Sequence, residues 1–159
     1  MLPETNVILY ASDMGKASRP AFARAISEAV QHNAQIVFLH VAEPMNRSTE
    51  TMIESYLSED VLDSLREKGV DALKDKMTNR IEKAIQEELV DVELPQGKPI
   101  QLIESGRPAE VIMRVAADVN ADMIVMGTRT HSSIGKLFMG STAQKVLQSA
   151  SVPVLVVPL

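Results

Sequence analysis

A chain of 159 residues, 45% apolar and 23% charged, has the size and composition of one soluble globular domain with a sizeable core. Its net charge of −5, its 3% aromatic content and its lack of Trp argue against a nucleic-acid partner, which needs basic surface and stacking platforms. No cysteine is present, which removes disulfides, thiolate nucleophiles and Cys-ligated metals and suits a reducing compartment.

No apolar run approaches the ~20 residues of a membrane span, and no basic-then-apolar leader is visible. The expectation is a cytoplasmic protein with no membrane partner. With so few aromatic residues, the core is expected to consist of Val, Ile, Leu, Met and Ala.

Asn6 to Ser12 reads as a first strand and Asp13 to Lys16 as a turn. Ser18 and Pro20 suit a helix start, and Phe22, Ala25, Ile26, Ala29 and Val30 recur at helical spacing. Gln35 to Val41 is a second strand, apolar enough to be covered on both faces. In Glu43 to Ser58, Pro44, Asn46, Arg47 and Ser48 suggest a mobile surface loop, and Met52 to Leu57 a short helical piece. Glu59 to Lys68 reads as a helix that Gly69 kinks or ends. The longest helix follows, carrying Leu73, Met77, Ile81, Ile85 and Leu89 on its apolar face.

Pro99 to Glu104 is the third strand. Pro108 opens a helix with Val111, Ile112, Val115, Ala116 and Val119 on one stripe. Asp122 to Met126 is the fourth strand. Ala143, Val146, Leu147 and Ala150 mark a short last helix, and Val152 to Val157 is the fifth strand. Strand and helix alternate throughout. That pattern predicts a single α/β domain over residues 1–159, with a five-stranded, mainly parallel sheet covered by helices on both faces.

In such a sheet ligands bind at the carboxyl ends of the strands, where the strand order reverses. The stretches after the first, second and fourth strands lie at that edge. Every Asp and Glu lies at or before Asp122, whereas Arg129, Lys136 and Lys145 follow it, a local bias toward anions. A glycine-flanked loop from Gly127 to Gly140 leads into a helix whose first N–H groups are unpaired donors. Neither the P-loop nor the dinucleotide spacing is present. The three histidines have no metal-ligand spacing, and no Ser-His-Asp set stands out. His40, inside a strand, reads as a satisfied interior residue, and His131 as an exposed loop residue.

The spacing of the loop is more specific. Gly127, two residues, Thr130, nine residues and Gly140-Ser141 resemble the phosphate motif of the universal stress protein family, with Thr130 where the family has glycine. The Asp13 turn, the segment Gly106-Arg107-Pro108-Ala109 and the ending Ser-Val-Pro-Val-Leu-Val-Val are also similar to that family. The resemblance covers the whole chain. It implies a Rossmann-like fold of the adenine nucleotide α-hydrolase type and a stress-response role, with ATP, accompanied by Mg, as a regulatory ligand.

By the same resemblance, Asp13 and the Val41 backbone meet the adenosine. Gly127, Thr130, Gly140, Ser141 and Thr142 surround the phosphates, and Ala11 and Met126 complete the binding set. As cations in this loop, Arg129 and Lys136 are expected to supply counter-charge. At most slow ATP hydrolysis is expected. The alternatives are a dimeric protein-interaction module that binds no nucleotide, and a hydrolase or transferase using Asp13. The last strand, apolar on both faces with no helix after it, is expected to be a sheet edge that pairs with its copy in a homodimer.

Overall fold

The computed structural model describes residues 1–12, 18–42, 55, 58–128 and 139–159, side chains at 62, 65, 66, 69 and 70 excepted. Five strands, β1 (Val7–Ser12), β2 (Gln35–Ala42), β3 (Ile100–Ser105), β4 (Met123–Gly127) and β5 (Val154–Val157), alternate with four helices among these residues. The helices are α1 (Arg19–His32), α2 (Glu59–Glu88), α3 (Pro108–Asp118) and α4 (Ser141–Ser149). All four strand pairings are parallel, in the order β3-β2-β1-β4-β5. The chain moves outward from β1 through β2 to β3, then returns to the other side of β1 with β4. The order therefore reverses between β1 and β4.

Alternation along each strand sends side chains to two cores. Ile8, Tyr10, Ile36, Phe38 and Val125 join Phe22, Ala25 and Ala29 of α1 and Ile81 and Ile85 of α2. Leu9, Val37, Leu39, Ile124 and Met126 join Val111, Ile112 and Val115 of α3 and Ala143 and Val146 of α4. A parallel sheet with both faces covered needs this double apolar character. The expectation of an aliphatic core is corrected on the first face. Three of the five aromatic residues, Tyr10, Phe22 and Phe38, cluster there with ring centroids 4.9–5.1 Å apart.

Three further expectations change. Gly69 does not end a helix: α2 continues through it for 30 residues, Glu59–Glu88. A single interior glycine costs only about 1 kcal/mol relative to alanine, and no proline interrupts the segment. Val30 is 48% and Leu147 42% exposed, outside the core their helical spacing suggested. Val30 sits at the margin of the α1 stripe near the helix end. The outer flank of α4 lies beside the sheet edge, where no further element among the described residues covers it. Finally, β5 starts at Val154 rather than Val152, since Pro153 has no N–H for the ladder and only its carbonyl pairs, accepting from Ile124 N–H at 2.9 Å. The surface loop expected at Pro44 to Ser48 lies outside the described residues, as does the short helical piece expected at Met52 to Leu57 apart from Ser55. No helix among the described residues is long and apolar enough to cross a membrane.

Candidate functional site

The reversal point between β1 and β4 opens into a cavity of about 390 Å³ at the carboxyl ends of the strands, the position expected for a ligand in an open α/β sheet. Ala11 and Ser12 reach it from the end of β1, His40 to Ala42 from β2, and Met126 to Thr128 from β4. Among the described residues β2 continues past β1: Ser12 pairs with His40, whereas Val41 and Ala42 pair only with Glu104 and Ser105 of β3. This overhang brings Val41 to the mouth. Leu73 and Met77 of α2 and Pro108 and Ile112 of α3 form apolar walls, and Met139, Gly140, Thr142 and Ala143 close the far side.

Gly140 holds φ 89° and ψ 149° immediately before α4, a backbone state that costs any side-chain-bearing residue dearly. It brings the chain into the helix with no side-chain cap and no acidic residue in the first turn. The first intrahelical bond is from Gln144 N–H to the Gly140 carbonyl, 3.1 Å. The N–H groups of the first turn therefore remain donors at the positive end of the helix dipole. Gly127 is different. Its φ is not positive; what it lacks is room, because an added Cβ would lie 2.8 Å from Leu159 Cγ.

The polar side chains of the lining among the described residues are Ser12, Ser18, His40, Thr128 and Thr142, with no Asp, Glu, Lys or Arg side chain. His40 is 8% exposed. Its ring Nδ1–H donates to the Ser12 carbonyl at 3.2 Å, which fixes the ring between β1 and β2 at the cavity. The Tyr10 hydroxyl donates to the Ser18 carbonyl at 3.4 Å and so ties β1 to the start of α1. No group of three or more His, Asp or Glu able to hold a metal exists among the described residues.

Six of the candidate residues, Ala11, Val41, Met126, Gly127, Gly140 and Thr142, line this one cavity. Ser141 opens α4 beside it but is not part of its lining. Asp13, Arg129 and Thr130, with Lys136 and His131, lie outside the described residues. The named candidates omitted Ser12, Ser18, His40, Thr128 and Leu159. Ser12 and Thr128 do fall within the stretches after the first and fourth strands expected at the ligand edge. Leu73, Met77 and Leu159 could not be found by position, because their nearness to the site depends on how distant elements pack.

Comparison with known proteins places this geometry among relatives. The profile of the universal stress protein family matches residues 4–158. A universal stress protein from Thermus aquaticus, in the QAH/OAS sulfhydrylase 3′ region, is 36% identical over 150 residues, 94% of this chain and 96% of that protein. The fold is similar to that of UspA from Lactobacillus plantarum (TM-score 0.74, 22% identity, 98% of this chain and 99% of that one). It is also similar to that of a universal stress protein in complex with cAMP (TM-score 0.59, 19% identity, 98% of each chain). A universal stress protein from Archaeoglobus fulgidus in complex with dAMP shares the fold as well (TM-score 0.56, 14% identity, 98% of each chain).

Proposed function

The chain belongs to the universal stress protein family, and from that premise we propose that it binds an adenine nucleotide, ATP with Mg, as a regulatory ligand. The observation that carries this reading is the meeting of the β1–β4 reversal with the uncapped start of α4 in one cavity. The apolar walls suit a base. The free N–H groups after Gly140 and the Thr142 hydroxyl suit phosphate oxygens, as charge-assisted hydrogen bonds to amide donors. The Val41 backbone and Asp13 take the adenosine; Gly127, Thr130, Ser141 and Thr142 surround the phosphates; Arg129 and Lys136 supply positive charge. Mg comes with the phosphates rather than from a carboxylate cluster of the protein. The complexes of other members with cAMP and dAMP support an adenine ligand.

In this reading the nucleotide acts as a signal and is hydrolysed slowly at most. The protein acts as a single domain in the cytoplasm. The test is the nucleotide content of freshly purified protein. ATP or AMP released on denaturation is the expected result. No released nucleotide, and no thermal shift in millimolar ATP-Mg, would refute the reading.

A second reading rests on the sheet edge. Among the described residues β5 pairs only with β4, and all four of its residues are half-buried. We propose that this strand meets its copy in a homodimer, through which the protein engages partners whether or not nucleotide is bound. A monomer at micromolar concentration by light scattering would end that proposal.

A further inference from the structure

Leu159 lies beyond the last strand, yet its side chain lines the cavity. Two hydrogen bonds bring it there. Thr128 N–H donates to the Val157 carbonyl at 3.0 Å, continuing the ladder past the ends of β4 and β5. Leu159 N–H then donates to Thr128 Oγ1, also at 3.0 Å. The side chain is thereby laid over Gly127. A methyl group at Gly127 would overlap Leu159 Cδ1 and lie 2.8 Å from Cγ and 3.3 Å from Cδ2. Leu159 also packs against the core that holds Tyr10 and Val125. Since Gly127 has no positive φ, its missing side chain is explained by the seat it gives Leu159. An apolar side chain of the protein itself thus fills the space over the end of β4, at the border of the reversal point.

We propose that Leu159 selects ligands by the length of their phosphate chain. The inference rests on the nucleotide reading above. A nucleoside or monophosphate occupies the apolar walls and the α4 N-terminus with Leu159 in place. A triphosphate whose chain runs along Gly127 must first move the leucine, giving up its half-burial and the hydrogen bond to Thr128. Removing the side chain beyond Cβ removes most of that opposition. Half-burial of a leucine side chain corresponds to about tenfold in affinity.

The experiment is calorimetric titration of ATP and of adenosine into the full chain, wild type and Leu159→Ala. The expected result is ATP binding about tenfold tighter in the variant, with adenosine affinity unchanged. Equal ATP affinity in the two proteins, or a gain shared by adenosine, overturns the proposal. A ligand-free arm tests the seat itself. Gly127→Ala should lower the melting temperature by about 2–4 °C beside Leu159 and by less in the Leu159→Ala background. Equal losses in the two backgrounds overturn the seat. Coupled melting shifts together with no ATP or adenosine binding by either protein would instead refute the nucleotide reading, and the selection with it.

Discussion

Helix α2 is 30 residues long, about 45 Å at 1.5 Å per residue, but its hold on the body is local. Of its described side chains only Ile81, at 0% exposure, and Ile85, at 5%, are fully in the core. Replacing Ile81 by Ala removes three carbons from the cluster that includes Tyr10, Phe22 and Phe38. At ~0.8 kcal/mol per buried methylene the transfer loss is about 2.4 kcal/mol, and the cavity left among stiff rings brings the total to about 3–4 kcal/mol. That is a large part of the ~5–15 kcal/mol stability of a typical domain.

Leu73 on the same helix is 50% exposed, so Leu73→Ala is the control and should cost less than about 1 kcal/mol. Urea denaturation followed by far-ultraviolet circular dichroism measures both, since no Trp reports on the core. A loss for Ile81→Ala no larger than that for Leu73→Ala would refute the placement of α2 and, with it, the cavity wall that Leu73 and Met77 form.

Two further substitutions probe the frame and the site. Asp122 Oδ2 accepts from Asn6 N–H at 2.8 Å and Val7 N–H at 2.9 Å, fastening the start of β4 to the start of β1. Asp122→Ala should cost about 1–2 kcal/mol in the same assay, because water replaces part of what is lost; no measurable change would mean that the clasp is idle. At the site, Gly140→Val forces a β-branched residue into φ 89°, a strain of about 1–3 kcal/mol, and should weaken ATP binding about tenfold or more in calorimetry. Ser141→Asp separates binding from folding: a carboxylate in the first turn stabilises α4 by about 0.3–1 kcal/mol while repelling phosphate. A melting temperature that holds or rises with weaker ATP binding is expected, and unchanged ATP affinity would locate any nucleotide elsewhere.

Much of the fold is legible in the residues because the signals are local and repeated. Val7 to Ser12, Gln35 to Val41 and Met123 to Met126 are apolar on both faces, as buried parallel strands must be. The stripes on α1 and α3 follow the 3.6-residue period, so element type and order, and from them the α/β class, depend on nearest neighbours alone. Gly140 was also visible, since a glycine before a helix start is a local signal, and its φ of 89° is the reason only glycine suits it. The expected break at Gly69 failed because the cost of a single glycine is small against the rest of a 30-residue helix.

The tertiary structure alone decided the rest. Strand order cannot be read from strand identity, and it is the order β3-β2-β1-β4-β5 that sets the crevice between β1 and β4 and makes β5 an edge. The cluster of three rings joins residues 10, 22 and 38 across three elements, which no periodicity encodes. Gly127 shows the difference most directly. In the sequence it is the first glycine of a phosphate-like spacing. In the fold its bare Cα is the seat of Leu159, because β4 and β5 pair in parallel and bring residues 32 positions apart into van der Waals contact.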